Sequence, residues 1–90
     1  MSIKMTMPVF LQAITNDKET LEVNGRTVAE CIDAVVKTYP GLRKMLIDDK
    51  GRLHNYVGIY INGEDAYPDE LKKPVKDGDE IHVLYTLAGG

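Results

Sequence analysis

One helix-like segment, residues 27–39, lies between segments that alternate like β-strands, and this arrangement limits the folds open to the chain. Its apolar residues recur at i, i+4, i+7, i+8 and i+11, which places them on one stripe of a helix. The stripe consists of Val28, Ile32, Val35, Val36 and Tyr39. Thr27 and Glu30 have the spacing of a capping box, and Pro40 follows Tyr39. We therefore expect one helix that begins at Thr27, ends at Tyr39 and covers a sheet.

Four segments alternate apolar and polar residues with the period of two that is typical of half-buried strands. They are residues 2–7, 19–23, 54–61 and 80–85. Pro8 ends the first segment, and in the long loop that follows we expect Phe10 and Leu11 to fold back over the core edge. Residues 42–53 contain the turn signal Asp48-Asp49-Lys50-Gly51, which indicates a short irregular or single-turn stretch.

The resulting order is strand, strand, helix, irregular segment, strand, loop, strand. It predicts an α+β fold of the β-grasp, ubiquitin-like type, a mixed sheet covered by one main helix. We expect residues 1–86 to form this domain and residues 87–90 to be a flexible C-terminal tail. The predicted core consists of Val23, Val28, Ile32, Val35, Val36, Val57, Ile59, Ile61, Ile81 and Val83.

Composition excludes several classes of protein. The chain has 90 residues, 43% hydrophobic and 28% charged, as expected for one soluble globular domain. A single cysteine cannot form an internal disulfide, and the basic residues are scattered in a chain of net charge -3, so nucleic acid is not an expected partner. There is no apolar run of the roughly 20 residues needed to cross a bilayer, and no secretory signal pattern. We expect no membrane contact and a cytoplasmic location.

The side chains do not form a conventional enzyme site. His54 and His82 lack the spacing or the neighbouring cysteines of a zinc site, so we predict surface histidines and no metal. Cys31 lies at the border of the helix stripe, without a base or cation pattern beside it, and is predicted to be a buried structural residue. The glycines form no phosphate-binding loop. We therefore expect neither a bound cofactor nor catalysis by the protein itself.

The remaining feature that could take part in a reaction is the C-terminal segment, Leu87-Ala88-Gly89-Gly90. Glycine has no Cβ, so a diglycine end can enter a narrow active site of another protein with its carboxylate leading. Small residues at a chain end are often without function. A functional role for this segment is better supported because the segment directly follows the last strand of a predicted β-grasp.

With this combination the chain resembles the ubiquitin-like sulfur carriers, which include the thiamine carrier, the small subunit of molybdopterin synthase and the carriers for cysteine or homocysteine synthesis. The resemblance rests on the helix at 27–39, residues 57–65, the turn at 77–80 and the terminal diglycine. It implies that an adenylating, ubiquitin-activating-like partner uses ATP to convert the Gly90 carboxylate into an acyl-adenylate. Sulfur then displaces AMP, and the resulting thiocarboxylate donates sulfur in biosynthesis. The carrier is a protein cosubstrate, monomeric when free.

The resemblance also implies further partners. A sulfur-accepting synthase would take the sulfur, and a tail-processing metalloprotease would act where residues follow the glycines in the native gene. Leu87, Ala88 and Gly89 would thread the partner's site, while Leu84, together with Leu87, is a candidate for apolar partner contacts.

Three alternatives concern the use of the carboxylate. Residues 53–65, after the insertion at 41–52, look most like the carriers for cysteine-type synthesis, with molybdopterin synthesis next and thiamine synthesis less favoured. A ubiquitin-like modifier conjugated through Gly90 is the second possibility, although Ala88 stands where ubiquitin has arginine. The third is a non-catalytic binding module with an incidental tail.

Overall fold

The computed structural model describes residues 2–85, so the predicted tail lies outside the described residues. The elements are strands β1 (Ile3–Thr6), β2 (Thr20–Val23), β3 (Val57–Ile61), β4 (Glu64–Asp65) and β5 (Glu80–Tyr85), helices α1 (Val28–Thr38) and α2 (Leu42–Leu46), and 3₁₀ turns at Val9–Leu11 and Glu70–Lys72.

The five strands form one mixed sheet in the order β2-β1-β5-β3-β4. β1 and β5 pair in parallel, whereas the other neighbours are antiparallel. The last strand in sequence is therefore the central strand in space. This arrangement, with α1 packed on one face, is the mixed sheet covered by one main helix that the sequence predicts.

Local side-chain chemistry fixes the start of α1. The Thr27 hydroxyl accepts a hydrogen bond from the Glu30 N–H at 3.2 Å, as expected for an N-cap. The Glu30 carboxylate accepts from the N–H of Arg26 at 2.9 Å, one residue earlier than in a regular capping box. Tyr39 is the C-cap residue. The helix therefore has the predicted caps.

The core lies between α1 and the sheet. Most of the predicted core residues are buried, but Val36 and Ile61 are only partly buried and pack against its edge. Ile61 ends β3 beside the exposed turn at Asn62, which leaves its side chain at the margin of the sheet. The core also contains buried residues outside the predicted set: Ile3, Met5, Met7, Leu11, Leu21, Cys31, Leu42, Leu46, Ala66 and Val75.

Three details differ from the sequence predictions. β3 begins at Val57 rather than at His54, because the Val57 N–H turns back to the His54 carbonyl at 3.0 Å. The two-residue strand β4 was not predicted; Asn62 and Gly63, with φ of 52° and 86°, form the tight turn that pairs it with β3. Phe10 is half exposed, although its neighbour Leu11 is buried as expected.

Candidate functional site at the end of the central strand

The end of β5 lies at the middle of the sheet. Tyr85 pairs with Val57 and Leu84 with Gly58, both on β3. On the other side, pairing with β1 reaches only His82. The last residues of β5 thus extend beyond β1, and the predicted tail follows them in sequence. The roles expected for Leu87, Ala88, Gly89 and Gly90 lie outside the described residues and stay predictions.

Tyr85 anchors this end of the strand to three other segments. Its ring meets that of Phe10 edge-on, with centroids 4.5 Å apart, and its centroid is 5.1 Å from that of Tyr56. Its hydroxyl donates a hydrogen bond to the Met45 carbonyl. Burial, followed by the effect of Tyr56, raises the pKa of Tyr85. The phenol is therefore a neutral packing group that holds the end of β5 in place.

The two histidines have different surroundings. His54 stacks on Tyr56 with ring centroids 4.8 Å apart, and its Nε2 lies 2.8 Å from the Lys44 carbonyl oxygen. His54 is thus partly buried in the packing beside the site. His82 is partly exposed on β5, opposite Tyr60. Within residues 2–85, no group of three His, Cys, Asp or Glu side chains is placed to hold a metal ion.

Cys31 is buried in the core, as the sequence predicts. Burial, with a contribution from the charge of Glu30, raises the pKa of its thiol to about 11. Since the thiolate is the reactive form, this cysteine is unsuited to nucleophilic chemistry at neutral pH.

Exposed apolar side chains surround the end of β5. Leu84 is 41% exposed, and because side chains alternate along a strand it lies on the sheet face opposite to Tyr85. Phe10, which packs on Tyr85, is 50% exposed, and Tyr56 is 38% exposed. We call these three residues, Leu84, Phe10 and Tyr56, the exit patch. Exposed apolar groups around one strand end are a candidate interaction surface.

Sequence reasoning found only part of the exit patch. Leu84 is a predicted candidate for partner contacts, and the structure shows it exposed near the end of β5. Phe10 and Tyr56 are not among the predicted contact residues, because the sequence places Phe10 at the core edge and Tyr56 on a strand face.

A groove of about 610 Å³ adjoins the exit patch along β3. Val57 and Gly58, the partners of the last two described residues of β5, contribute to its lining, and the exposed Tyr67 forms part of its wall. The groove is mainly apolar, so it extends the apolar surface from the end of β5 toward the edge of the sheet.

Comparison with known proteins identifies the family. The model of the ThiS family matches residues 6–90. The chain belongs to the ThiS family. It is 30% identical to the sulfur carrier protein CysO of Mycobacterium tuberculosis (strain ATCC 25618 / H37Rv), over the whole length of both chains.

Solved structures agree with this assignment. CysO in the Amycolatopsis orientalis BexX/CysO complex is similar with a TM-score of 0.88 and 32% identity, covering 98% of this chain and 99% of that one. SAMP1 from Haloferax volcanii is similar with a TM-score of 0.85 and 26% identity, over the whole of both chains. The predicted β-grasp and the predicted sulfur-carrier resemblance are confirmed. Proteins of this kind are small carriers rather than catalysts, and the likeness supports a sulfur-carrier role.

The structure also bears on membrane insertion. No helix within residues 2–85 is both long and apolar enough to cross a membrane.

Proposed function

We propose that this protein is a sulfur carrier whose working group is the carboxylate of Gly90. The observation that carries the proposal is the family match over residues 6–90, which runs from β1 through the diglycine. The position of β5 supports the proposal, because this anchored central strand lies directly before the C-terminal residues in the sequence. In this proposal residues 1–86 are the folded domain and residues 87–90 are the reactive arm.

The chemistry begins with activation by a partner enzyme. A Gly90 carboxylate oxygen attacks the α-phosphorus of ATP, and pyrophosphate leaves to give an acyl-adenylate. Hydrosulfide then attacks the carbonyl carbon, AMP leaves and a proton is released, which yields the thiocarboxylate. ATP is bound and used by the adenylating partner, so the carrier needs no cofactor. Its side chains serve to present the arm, and it is a cosubstrate rather than an enzyme.

The favoured acceptor is an activated amino-acid precursor in cysteine-type synthesis, held by a pyridoxal-phosphate enzyme. The thiocarboxylate sulfur forms a bond to the electrophilic carbon of the O-activated precursor, whose carbon–oxygen bond breaks so that the activating group leaves as its anion. Water then hydrolyses the resulting thioester, which frees the new thiol and regenerates the carboxylate. Full-length similarity to CysO supports this choice. Molybdopterin synthesis is the next candidate and thiamine synthesis the last.

The exit patch is the proposed docking surface for the adenylating enzyme and the acceptor synthase. Its apolar side chains surround the base of the arm, so a partner that covers them receives Leu87, Ala88 and Gly89 in a threading channel. The complex formed by the A. orientalis relative with BexX supports a protein partner. A tail-processing metalloprotease joins these partners only if the native gene extends beyond Gly90. All of these reactions are proposed to occur in the cytoplasm.

Mass spectrometry of the protein from its native host tests the proposal. We expect a fraction of the chain to carry one sulfur in place of one C-terminal oxygen. Deletion of Gly90 should abolish ATP-dependent pyrophosphate release by the adenylating enzyme and leave thermal stability unchanged. Lys4→Gln, at the far end of β5 from Leu84, is the matched control. Undiminished pyrophosphate release after the deletion would refute the role of Gly90.

A second candidate function is conjugation to other proteins through Gly90. It is favoured by the likeness to SAMP1, which is named as a small archaeal modifier protein. The same sample distinguishes the two functions, because conjugation leaves diglycine branches on lysines after proteolysis. If such branches occur and the thiocarboxylate does not, the modifier function replaces the carrier function.

A further inference from the structure

β2 is an edge strand with unused main-chain groups. Among residues 2–85 it pairs only with β1. The N–H of Met7 donates to the Glu19 carbonyl at 2.8 Å, so the odd-numbered residues of β2 are the ones whose main-chain groups bond to β1. Alternation then turns the N–H and C=O groups of Thr20 and Glu22 to the outer side. β2 is the terminal strand of the sheet order, so no strand of residues 2–85 lies beside these four groups. Both residues are exposed, so the edge is open to an additional strand.

A groove of about 580 Å³ runs beside this edge, between β2 and the C-terminal half of α1. Leu21 and Val23 from β2 and Val35 from α1 are nearly buried residues that contribute to its floor. Thr38 and Ala34 contribute to its helical wall. The groove thus offers main-chain hydrogen-bonding groups on one side and a narrow apolar floor within a mostly polar lining, and an added strand can use both through its main chain and its alternate side chains.

We propose that this groove binds an extended segment of a partner protein, which joins the sheet antiparallel to β2. Its main chain bonds to Thr20 and Glu22, and every second side chain, small and apolar, enters the groove. Lys18 and Glu22 are charged residues along this edge and lie toward its opposite ends. Alternation from the buried Leu21 and Val23 places the Glu22 carboxylate on the sheet face away from α1. There it accepts a hydrogen bond from the Ser2 hydroxyl at 2.9 Å, and it remains exposed to an outward-facing side chain of an added strand. The segment therefore carries an acidic residue toward its C-terminal end, beside Lys18, and a basic residue toward its N-terminal end, beside Glu22.

A second copy of the chain fits this site less well. In an edge-to-edge dimer the strand facing the groove would be the copy's own β2. Its apolar side chains, Leu21 and Val23, are only 8% exposed, because they already pack in the copy's core. They could not fill the groove, which would remain empty between the two helices. A separate extended segment has no such restriction.

The groove is independent of the exit patch. β2 is separated from β5 by β1, about 10 Å across the sheet, and none of Phe10, Tyr56 and Leu84 contributes to the groove lining. A protein bound at β2 therefore leaves the end of β5 uncovered. The carrier could be held at β2 by one protein while its arm reacts with another.

Selection of random peptides displayed on phage, with the full chain as target, tests the inference. We expect the selected peptides to alternate small apolar and polar residues, with the basic residue before the acidic one. A synthetic selected peptide should shift the amide resonances of Thr20, Glu22 and Ala34 and leave that of Leu84 unchanged. Shifts centred on Leu84 instead, or selection of no such pattern, would overturn the proposal.

Two variants separate main-chain from charge recognition. Thr20→Pro removes one outward N–H without touching the ladder to β1, and it should weaken peptide binding about five- to tenfold. The double variant Lys18→Glu with Glu22→Lys should also weaken binding, and a peptide with exchanged charges should restore it. Lys50→Gln, in the exposed turn between Ile47 and Leu53, is the control with unchanged affinity. If Thr20→Pro fails to fold, the charge-exchange experiment tests the proposal by itself. Equal binding of the selected and the charge-exchanged peptide to both the wild type and the double variant would refute the proposed antiparallel orientation.

The proposed sulfur chemistry provides an independent readout. Adenylation of Gly90 should proceed at the same rate in the charge-exchanged variant, because the exit patch is intact. Loss of peptide binding with normal adenylation is the expected result. A dimer in sedimentation experiments that the charge exchange dissociates would assign the edge to a second copy and overturn the proposal.

Discussion

Truncation of the exit patch gives a quantitative test of partner docking. Leu84 is 41% exposed. Full burial of a leucine side chain is worth roughly 1.5–3 kcal/mol, so covering the exposed part adds about 0.6–1.2 kcal/mol. Leu84→Ala should therefore raise the dissociation constant of the complex with the adenylating enzyme about three- to eightfold.

The same reasoning applies to Phe10 on the other side of the arm. It is 50% exposed, which corresponds to about 0.8–1.5 kcal/mol when a partner covers it. Phe10→Ala should weaken binding about four- to twelvefold. Leu84 and Phe10 approach the end of β5 from different sides, so the double variant should show roughly the product of the two effects.

Calorimetric titration of the adenylating enzyme without ATP measures these affinities before any chemistry occurs. Lys4→Gln is the matched control, because Lys4 lies on the same sheet face as Leu84 but opposite Glu80 at the other end of β5. Circular dichroism establishes that each variant is folded. Wild-type affinity in both alanine variants would show that partners recognise the arm alone, and the exit patch would lose its proposed role.

Three further predictions concern stability. Ile59→Ala, at a fully buried position of β3, should lower the free energy of unfolding by about 2–5 kcal/mol in urea titrations, and an unchanged midpoint would place Ile59 outside the core. Because burial raises the pKa of Cys31 to about 11 from 9.0, the unfolded chain loses the thiol proton first as the pH rises, so stability should fall between about pH 9 and 11. Cys31→Ala should reduce this fall, and identical pH profiles would contradict the assignment. Hydrogen bonds from Asn62 at 2.9 Å and from the Lys76 N–H at 2.8 Å lower the pKa of Asp79, so their stabilisation is present at neutral pH and is lost as the pH falls through the folded-state pKa. Asp79→Ala should therefore be less stable than the wild type at pH 7, with a smaller difference in strong acid; a constant difference would mean that the charge is not involved.

The sequence predicted those elements whose signals are local. The caps and stripe of α1 lie within one short segment, and the strand patterns of β1, β2 and β5 depend on alternation alone. β4 could not be predicted in this way, because two acidic residues carry no alternation and the strand exists only through its pairing with β3. Its turn residues, Asn62-Gly63, were recognised as a turn but not as half of a hairpin.

The site was predictable only where it coincides with the chain end. Leu84 was selected because it is near the diglycine, and that information is present in the sequence order. The exposure of Phe10 depends on its contact with Tyr85, 75 residues later, and the place of Tyr56 depends on the turn that delays β3. Contacts between distant residues leave no local pattern. The exit patch therefore required the structure.

The parallel pairing of β1 with β5 has a consequence for the synthesis of the chain. The Lys4 N–H donates to the Asp79 carbonyl at 3.1 Å. β1, which is synthesised first, can therefore form its pairing with β5 only after β5 has been synthesised. Until then, β1 and β2 have no connection to β3, because β5 is the strand between them. A nascent chain cut short before β5 lacks the middle of its sheet and should remain open to proteases. Topology alone thus means that the domain closes only after β5 has been made.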